Sequence, residues 1–174
     1  MEKAIEIAAL SKTFNGGKRA LNDVSLSIAP GEMVALIGAS GSGKSTLIRH
    51  VAGLVTADAG TVSDVRVHGR SMQREGRLSN DARSIRKEVG VIFQQFNLVG
   101  RMSVLTNVLT GRLGSLHWSR GTFGLFPRED QLRAYQALIR VGIGDTVRQR
   151  ASTLSGGQQQ RAAIARALVQ GARV

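Results

Sequence analysis

Gly38-Ala39-Ser40-Gly41-Ser42-Gly43-Lys44-Ser45 satisfies every constrained position of G-x-x-x-x-G-K-[ST], the spacing of a phosphate-binding loop. Its flanks agree. Met33-Val34-Ala35-Leu36-Ile37 is a short apolar run that reads as a buried parallel strand, and Thr46-Leu47-Ile48-Arg49-His50-Val51-Ala52 has helical spacing and stops at Gly53. Strand, glycine-rich loop and helix bring successive backbone N–H groups and the positive helix end to one point. In that arrangement Lys44 reaches the β- and γ-phosphates and the Ser45 hydroxyl faces Mg²⁺. A glycine-rich turn before a helix is the plain alternative. A dinucleotide fingerprint is a poor fit, because Thr46 stands where its third glycine belongs.

Outward from the loop, the 174 residues suffice for one domain with a sizeable core. No cysteine is present, which excludes disulfides and thiolate metal sites within these residues. Met1-Glu2-Lys3-Ala4-Ile5-Glu6 lacks the basic, then apolar, run of a signal peptide. No stretch is apolar for long enough to span a bilayer, so the expected membrane link runs through a partner. The net charge of +12 admits nucleic acid, an anionic leaflet or mere arginine richness. Arg66, Arg70, Arg74, Arg77, Arg83 and Arg86 are separated by polar spacers, and aromatics make up only 4%, so no stacking platform for single strands is evident and no nucleic-acid partner is expected.

The coarse pattern is α/β. Strands are predicted over Ala4–Leu10 and Ala20–Ile28, divided by the turn Asn15-Gly16-Gly17 after Phe14. Pro30-Gly31 turns the chain into the loop strand. After the turn at Thr56–Gly60 comes a strand over Thr61–Val67 with Val62, Val65 and Val67 as its apolar members. Arg70–Asn80 reads as a surface loop, with Ser79 or Asn80 capping a short helix through Lys87. Val89-Gly90-Val91-Ile92-Phe93 is a second buried-strand candidate, ending at Gln94-Gln95. Ser103 is the expected N-cap of a helix bearing Val104, Leu105, Val108 and Leu109, and Gly111–Phe126 reads as an irregular connection. Pro127 suits the first turn of a helix through Arg140, apolar along Leu132, Tyr135, Leu138 and Ile139 and ended by Gly142 and Gly144.

A second motif lies near the end. Leu154-Ser155-Gly156-Gly157-Gln158 precedes the strong helix former Gln159–Leu168. Ser155 can cap that helix, and Gly156 and Gly157 leave its first N–H groups unobstructed. Two anion-binding helix ends on one chain point to a nucleotide gripped from both sides, across a dimer.

With both motifs quoted, the chain resembles the nucleotide-binding subunit of an ABC transporter. Gly38–Ser45 is similar to the family's Walker A loop, and Leu154–Gln158 matches its LSGGQ signature. Val91-Ile92-Phe93-Gln94 resembles the Q-loop, with Gln94 as its glutamine, and Phe14 sits where the adenine-stacking aromatic sits. The resemblance implies an α/β P-loop NTPase core of ABC type with an antiparallel β subdomain and a helical subdomain. The whole chain, 1–174, would be one nucleotide-binding domain, with the helical subdomain at approximately 95–160. It further implies ATP with Mg²⁺ as cofactors, held by Phe14, Gly38, Ala39, Ser40, Gly41, Ser42, Gly43, Lys44, Ser45 and Thr46 of one subunit against Ser155, Gly156, Gly157 and Gln158 of its head-to-tail partner. Lys44 and Gln94 would take catalytic roles, and Ser45 and Gln94 would meet the metal. The segment from Gln95 to Arg112 would line the groove for an integral membrane permease subunit. A periplasmic or extracellular substrate-binding protein would be an indirect partner, and the peripheral cytoplasmic face of the membrane is the implied location.

Within the family, Gln94–Val99, Val104–Gly114 and Phe126–Asp130 look most like phosphonate importers. Importers of another oxyanion or of amino acids stand behind them. A soluble ABC ATPase acting on nucleic acid, a kinase or GTPase (which leaves Leu154–Gln158 unexplained) and a non-catalytic binding piece rank lower. The family pattern continues after the signature helix with an apolar strand ending in Asp-Glu, then a D-loop and a switch histidine. Here Ala172-Arg173-Val174 would only begin that strand, Glu129-Asp130 opens a helix instead, and His50, His68 and His117 all precede the signature. The sequence therefore reads as the front portion of a family member. Hydrolysis is expected of the complete protein, while these 174 residues alone are expected to bind nucleotide weakly and not to hydrolyse it.

Overall fold

A computed structural model describes residues 3–174. They form two compact units, residues 3–89 with Val174 and residues 90–173.

The first unit is built on an antiparallel sheet in the order β2-β1-β3-β4-β5. Its strands are β1 (Ile5–Thr13), β2 (Arg19–Ile28), β3 (Asp64–Val67), β4 (Arg70–Arg74) and β5 (Arg77–Leu78). Alternation fixes the faces: Ile5, Ile7 and Leu10 of β1 are buried, and Val24, Leu26 and Ile28 of β2 are half-buried while the residues between them are exposed. The register pairs Ile5 with Ile28 and Ile7 with Leu26, then slips. At the slip Ala9 and Asp23 take positive φ, and their N–H groups donate to Ser25 Oγ and Ser11 Oγ, both at 2.9 Å. Two serines thus replace the ladder bonds that the bulge removes. Helix α1 (Lys44–Val51) packs Leu47 and His50 inward beside β2 and β3, and the short α2 (Ala82–Ile85) packs against β4.

Several expectations fail in this part of the chain, among them the cap at Ser79 or Asn80: α2 follows Asp81, has no side-chain cap and ends at Ile85 rather than Lys87. Arg70–Asn80 is not a loop but the hairpin β4–β5. The hairpin turns are His68-Gly69 and Glu75-Gly76, each with positive φ at both residues, the geometry that matches the twist of the flanking strands. Neither dipeptide carries the Asn-Gly or Asp-Gly signal, and the arginines of β4 hide its buried members, Met72 and Gln73. Val62 stands outside β3 and is 83% exposed, because the strand begins only at Asp64. Met33–Ile37 is extended but not a strand: among the described residues nothing pairs with it, and Met33 and Ile37 lie almost wholly in solvent. A parallel strand has no stability of its own without neighbours to bond. For the same reason Val89–Phe93, which runs from this unit into the next, is not a strand either.

The second unit is helical. It comprises α3 (Val104–Leu109), a 3₁₀ turn over Thr110–Ser115, α4 (Trp118–Thr122), α5 (Arg128–Arg140), two further 3₁₀ turns and α6 (Gly156–Gln170). Its core gathers Val104, Val108 and Leu109 of α3, Ala134, Ala137 and Leu138 of α5, and Ala162, Ala165 and Val169 of α6. Ser103 caps α3 as expected, accepting from Thr106 N–H at 3.1 Å. Asn107, 1% exposed, ties the preceding loop down: its Oδ1 accepts from Val99 N–H and its Nδ2 donates to the carbonyls of Val99 and Ser103. The expected apolar stripe of α5 is corrected. Leu132, Tyr135 and Ile139 face solvent, and the buried face is Asp130, Ala134, Ala137 and Leu138. Alanines on α5 and α6 bring those helices into contact, and the buried ion pair of Asp130 with Arg112, 2.9 Å, fixes the rotation. A charge on the inner face is invisible to a hydrophobic count.

Candidate functional site

The glycine-rich loop belongs to the first unit. It turns at Ala39–Ser42, where Ser42 N–H donates to Ala39 O at 3.2 Å, and it delivers the chain to Gly43, the residue before α1. Gly43 has φ +92°, and a Cβ there would stand 2.3 Å from the Ala20 carbonyl oxygen of β2. Only glycine fits. No side chain caps α1, and its first turn contains no acid, so the helix start is left as a bare positive end. Lys44 folds back over the loop: its Nζ donates to Gly38 O at 2.7 Å, Ala39 O at 2.8 Å and Ser42 Oγ at 3.3 Å. The loop is therefore already wrapped around an ammonium group. Gly38, Ala39, Ser40, Gly41, Ser42 and Ser45 are exposed, while Thr46 and Lys44 are half-buried. An anionic group of phosphate size can meet this end without displacing packed side chains. The exposed Ser45 hydroxyl offers a metal one hard oxygen ligand; among the described residues no cluster of three or more His, Asp or Glu could hold one unaided. A Mg²⁺ ion here would therefore depend on phosphate oxygens and water for most of its shell.

Phe14 closes the end of β1 and is 40% exposed, with the Lys12 ammonium 5.7 Å above its ring. Asp58 fixes this strand end, accepting from Thr13 N–H at 2.8 Å and pairing with Lys12 at 3.5 Å. Phe14 borders a cleft lined by Lys12, Asn15, Leu54, Thr56, Leu78 and Arg86 among others, and no residue of Gly38–Thr46 lines it. The ring is part-exposed with Lys12 over one side, and this cleft does not include the loop.

Behind the loop, His50 is wholly buried, and its Nδ1 donates to Thr46 O at 2.7 Å. Burial is the main cause that holds its imidazole below the ordinary value, so it is neutral. Gln73, 1% exposed, locks the loop that follows α1: it accepts from Ala57 N–H at 2.8 Å and donates to His50 O and Val55 O, both at 3.0 Å.

The other predicted residues belong to the second unit. Gln94 is exposed at the start of a turn over 94–97. That turn is strained: Phe96 and Asn97 have φ of 55° and 50°. Arg166 of α6 pins it, its guanidinium donating to Phe96 O at 2.7 Å and Asn97 O at 2.9 Å. Burial draws this guanidinium below its ordinary value. No motif in the sequence singles out Arg166; its only sequence signal is a cation repeating with alanines on an otherwise buried helix face. At the start of α6 the expected cap is present as a full capping box. Gln158 N–H donates to Ser155 Oγ at 3.3 Å, and Ser155 N–H donates to Gln158 Oε1 at 2.9 Å. A Cβ at Gly156 or Gly157 would meet nothing within 4 Å. Packing thus does not demand glycine there, and its effect is to bare the helix start to an incoming group.

The lysine-filled loop before α1 and the glycine-bared start of α6 are each, by local geometry, suited to an anionic group. Residues 21–174 match the family model described as ABC transporter, and the chain belongs to that family. The chain is 59% identical over its full length to the phosphonates import ATP-binding protein PhnC of Cupriavidus pinatubonensis, covering 62% of that protein. It is likewise 59% identical to PhnC 2 of Pseudomonas savastanoi, again covering 62%. The chain thus spans about three-fifths of the length of the curated relatives it matches. Among solved structures, the dimeric structure of a bacterial ABC transporter cassette superposes with a TM-score of 0.79 at 32% identity, over 97% of this chain and 70% of that one. A nucleotide-free ATP-binding cassette from an ABC transporter gives 0.76 at 26%, over 99% and 66%. The fold class expected from sequence, an ABC-type P-loop cassette with an antiparallel sheet and a helical part, is the one found.

Proposed function

We propose that this chain belongs to the ATP-binding, energy-coupling subunit of an importer for phosphonates. The reading is carried above all by the loop Gly38–Ser45, wrapped around Lys44 at an uncapped helix start, together with the names of relatives 59% identical to the chain. Lys44 would turn from the carbonyls of Gly38 and Ala39 to the β- and γ-phosphates of ATP, the N–H groups of the loop would hold the same oxygens, and Ser45 would meet Mg²⁺. Mg²⁺ supplies charge neutralisation when bound; the chain's own residues bind and orient the phosphates. Phe14 offers its open face to adenine. Gln94, at the turn that Arg166 holds, would be the residue to orient the attacking water and to reach the metal. Gly156, Gly157, Ser155 and Gln158 close on the γ-phosphate of a nucleotide held by a second copy, head to tail. The dimer sits at the cytoplasmic face of the membrane under its permease subunits, fed by a substrate-binding protein.

Two measurements test this. The 174-residue chain should bind a fluorescent ATP analogue, and Lys44→Ala should weaken binding at least tenfold with no change in thermal midpoint, since the bonds of Lys44 are to exposed carbonyls. Steady hydrolysis by these 174 residues at a transport rate is not expected, because they include no Asp-Glu strand end after α6. In a cell whose only copy of the whole gene carries Lys44→Ala, growth should fail on a phosphonate as sole phosphorus source and persist on phosphate. Normal growth on the phosphonate would overturn the substrate assignment, and undiminished nucleotide binding by the variant would overturn the site.

A further inference from the structure

The segment from Leu113 to Phe126 takes no part in the nucleotide reading, yet it is the most apolar exposed stretch of the second unit. Trp118 is 73% exposed, Phe123 75%, Leu125 63% and Leu113 43%. Its backbone is ordered by its own bonds. Gly121 N–H donates to His117 O at 3.1 Å, Phe123 N–H to Ser119 O at 3.2 Å and Leu125 N–H to Arg120 O at 2.9 Å. The segment is moored at its Phe126 end and braced within itself. Phe126 packs on the helical core, and Gly121 lies close enough to Leu113 that a Cβ would stand 3.3 Å from its Cδ2. A bonded, moored turn thus holds one tryptophan, one phenylalanine and a leucine out in water.

Charge decides what could cover it. No carboxylate occurs from Leu113 to Arg128. The next two, Glu129 and Asp130, are already paired, with Arg133 at 2.6 Å and with Arg112 at 2.9 Å. Arg120 and Arg128 are exposed, and no described carboxylate lies within ion-pair distance of either. A second copy of this chain would bring the same arginines against these, on molecules of net charge +12. Aromatic and leucine side chains flanked by unpaired arginines match a surface that is negative outside and apolar beneath. We propose that the Leu113–Phe126 turn docks directly on an anionic phospholipid bilayer. Trp118, Phe123 and Leu125 enter the boundary between headgroups and acyl chains, while Arg120 and Arg128 meet lipid phosphates. The contact is independent of nucleotide and of the site proposed above.

Trp118 is the single tryptophan, so intrinsic emission reports on this turn alone. The test titrates the chain, without nucleotide, with vesicles of phosphatidylglycerol and phosphatidylcholine in equal parts or of phosphatidylcholine only. The anionic vesicles should shift Trp118 emission to the blue and co-sediment the chain. Affinity for neutral vesicles should be lower by roughly an order of magnitude or more, given two arginines at the surface. The double variant Phe123→Ser, Leu125→Ser should lose most of the binding and keep its thermal midpoint, since both side chains are exposed. Three results would overturn the proposal: emission unmoved by saturating anionic lipid, equal binding to neutral vesicles, or full binding by the double variant, which would assign it to the overall positive charge. Blue-shifted emission before lipid is added, with the sedimentation mass of a dimer, would assign the turn to a second copy instead.

Discussion

Gly43, just before α1, and His50, seven residues on within it, depend on different properties of their surroundings. At Gly43 the constraint is space. An added Cβ would be 2.3 Å from Ala20 O and 3.0 Å from Leu21 Cδ2, at φ +92°. A left-handed non-glycine residue costs about 1–3 kcal/mol before any clash, and the nearer contact is backbone, which cannot swing away. Gly43→Ala should therefore lower the urea midpoint by the equivalent of about 2–4 kcal/mol and disorder the loop that Lys44 fills. A midpoint within error of the parent would mean that β2 can yield at Ala20. At His50 the constraint is charge. The ordinary imidazole value is 6.5, and burial lowers it in the folded chain. Below pH 6.5 the unfolded chain takes a proton that the folded chain refuses, so stability falls as pH drops through that window and levels off once the folded-state value is passed. Above 6.5 this group adds no slope. His50→Asn keeps a donor for Thr46 O but cannot titrate. Thermal midpoints between pH 8 and pH 5 should decline more steeply for the parent than for this variant, and parallel curves would refute the assignment.

Elements whose signals lie in local chemistry were legible: the capped starts of α3 and α6, the glycine-rich approach to α1 and the alternation of β2 all match their sequence readings. Elements whose definition lies elsewhere were not. The hairpin β4–β5 was obscured because its turns use His68-Gly69 and Glu75-Gly76, and because Gln73 is buried for its bonds rather than its apolarity. The rotation of α5 was misread because a buried salt bridge, Arg112 with Asp130, outranks the larger side chains in setting which face turns inward. Alanine substitution separates the two readings of α5. Leu138→Ala removes a side chain with no exposure and should cost about 2–5 kcal/mol. Leu132→Ala removes one that is 54% exposed and should stay within about 0.5 kcal/mol. Equal losses at both positions would restore the stripe that sequence periodicity predicts. The same distinction applies to the candidate site. Loop, cap and glycines could be named from spacing; for Arg166 spacing marks a cation among alanines, whereas its partners, two carbonyls about seventy residues away, are not legible.

For the molecule as a whole, two properties oppose each other: a net charge of +12, and apolar segments that no strand covers. Met33 is 98% exposed and Ile37 94%, with Val34 and Leu36 between them also open, along extended backbone whose N–H and C=O groups no described strand bonds. Such an edge is a template for a second chain. Mutual repulsion of the positive charges holds copies apart at low ionic strength, and salt removes it, since the screening length shrinks from about 30 Å at 0.01 M to about 3 Å at 1 M. Salt also leaves apolar contact intact or strengthens it. The 174-residue chain should therefore scatter light as a monomer in dilute buffer and self-associate as sodium chloride is raised, the reverse of what ion-paired association would do. Met33→Lys with Ile37→Lys should hold it monomeric across the same range without lowering its thermal midpoint, because neither side chain is packed. Association that persists in this variant but disappears in Phe123→Ser, Leu125→Ser would move the self-adhesive surface to the helical unit. Association that weakens with salt would make charge, not the uncovered run before the phosphate loop, its cause.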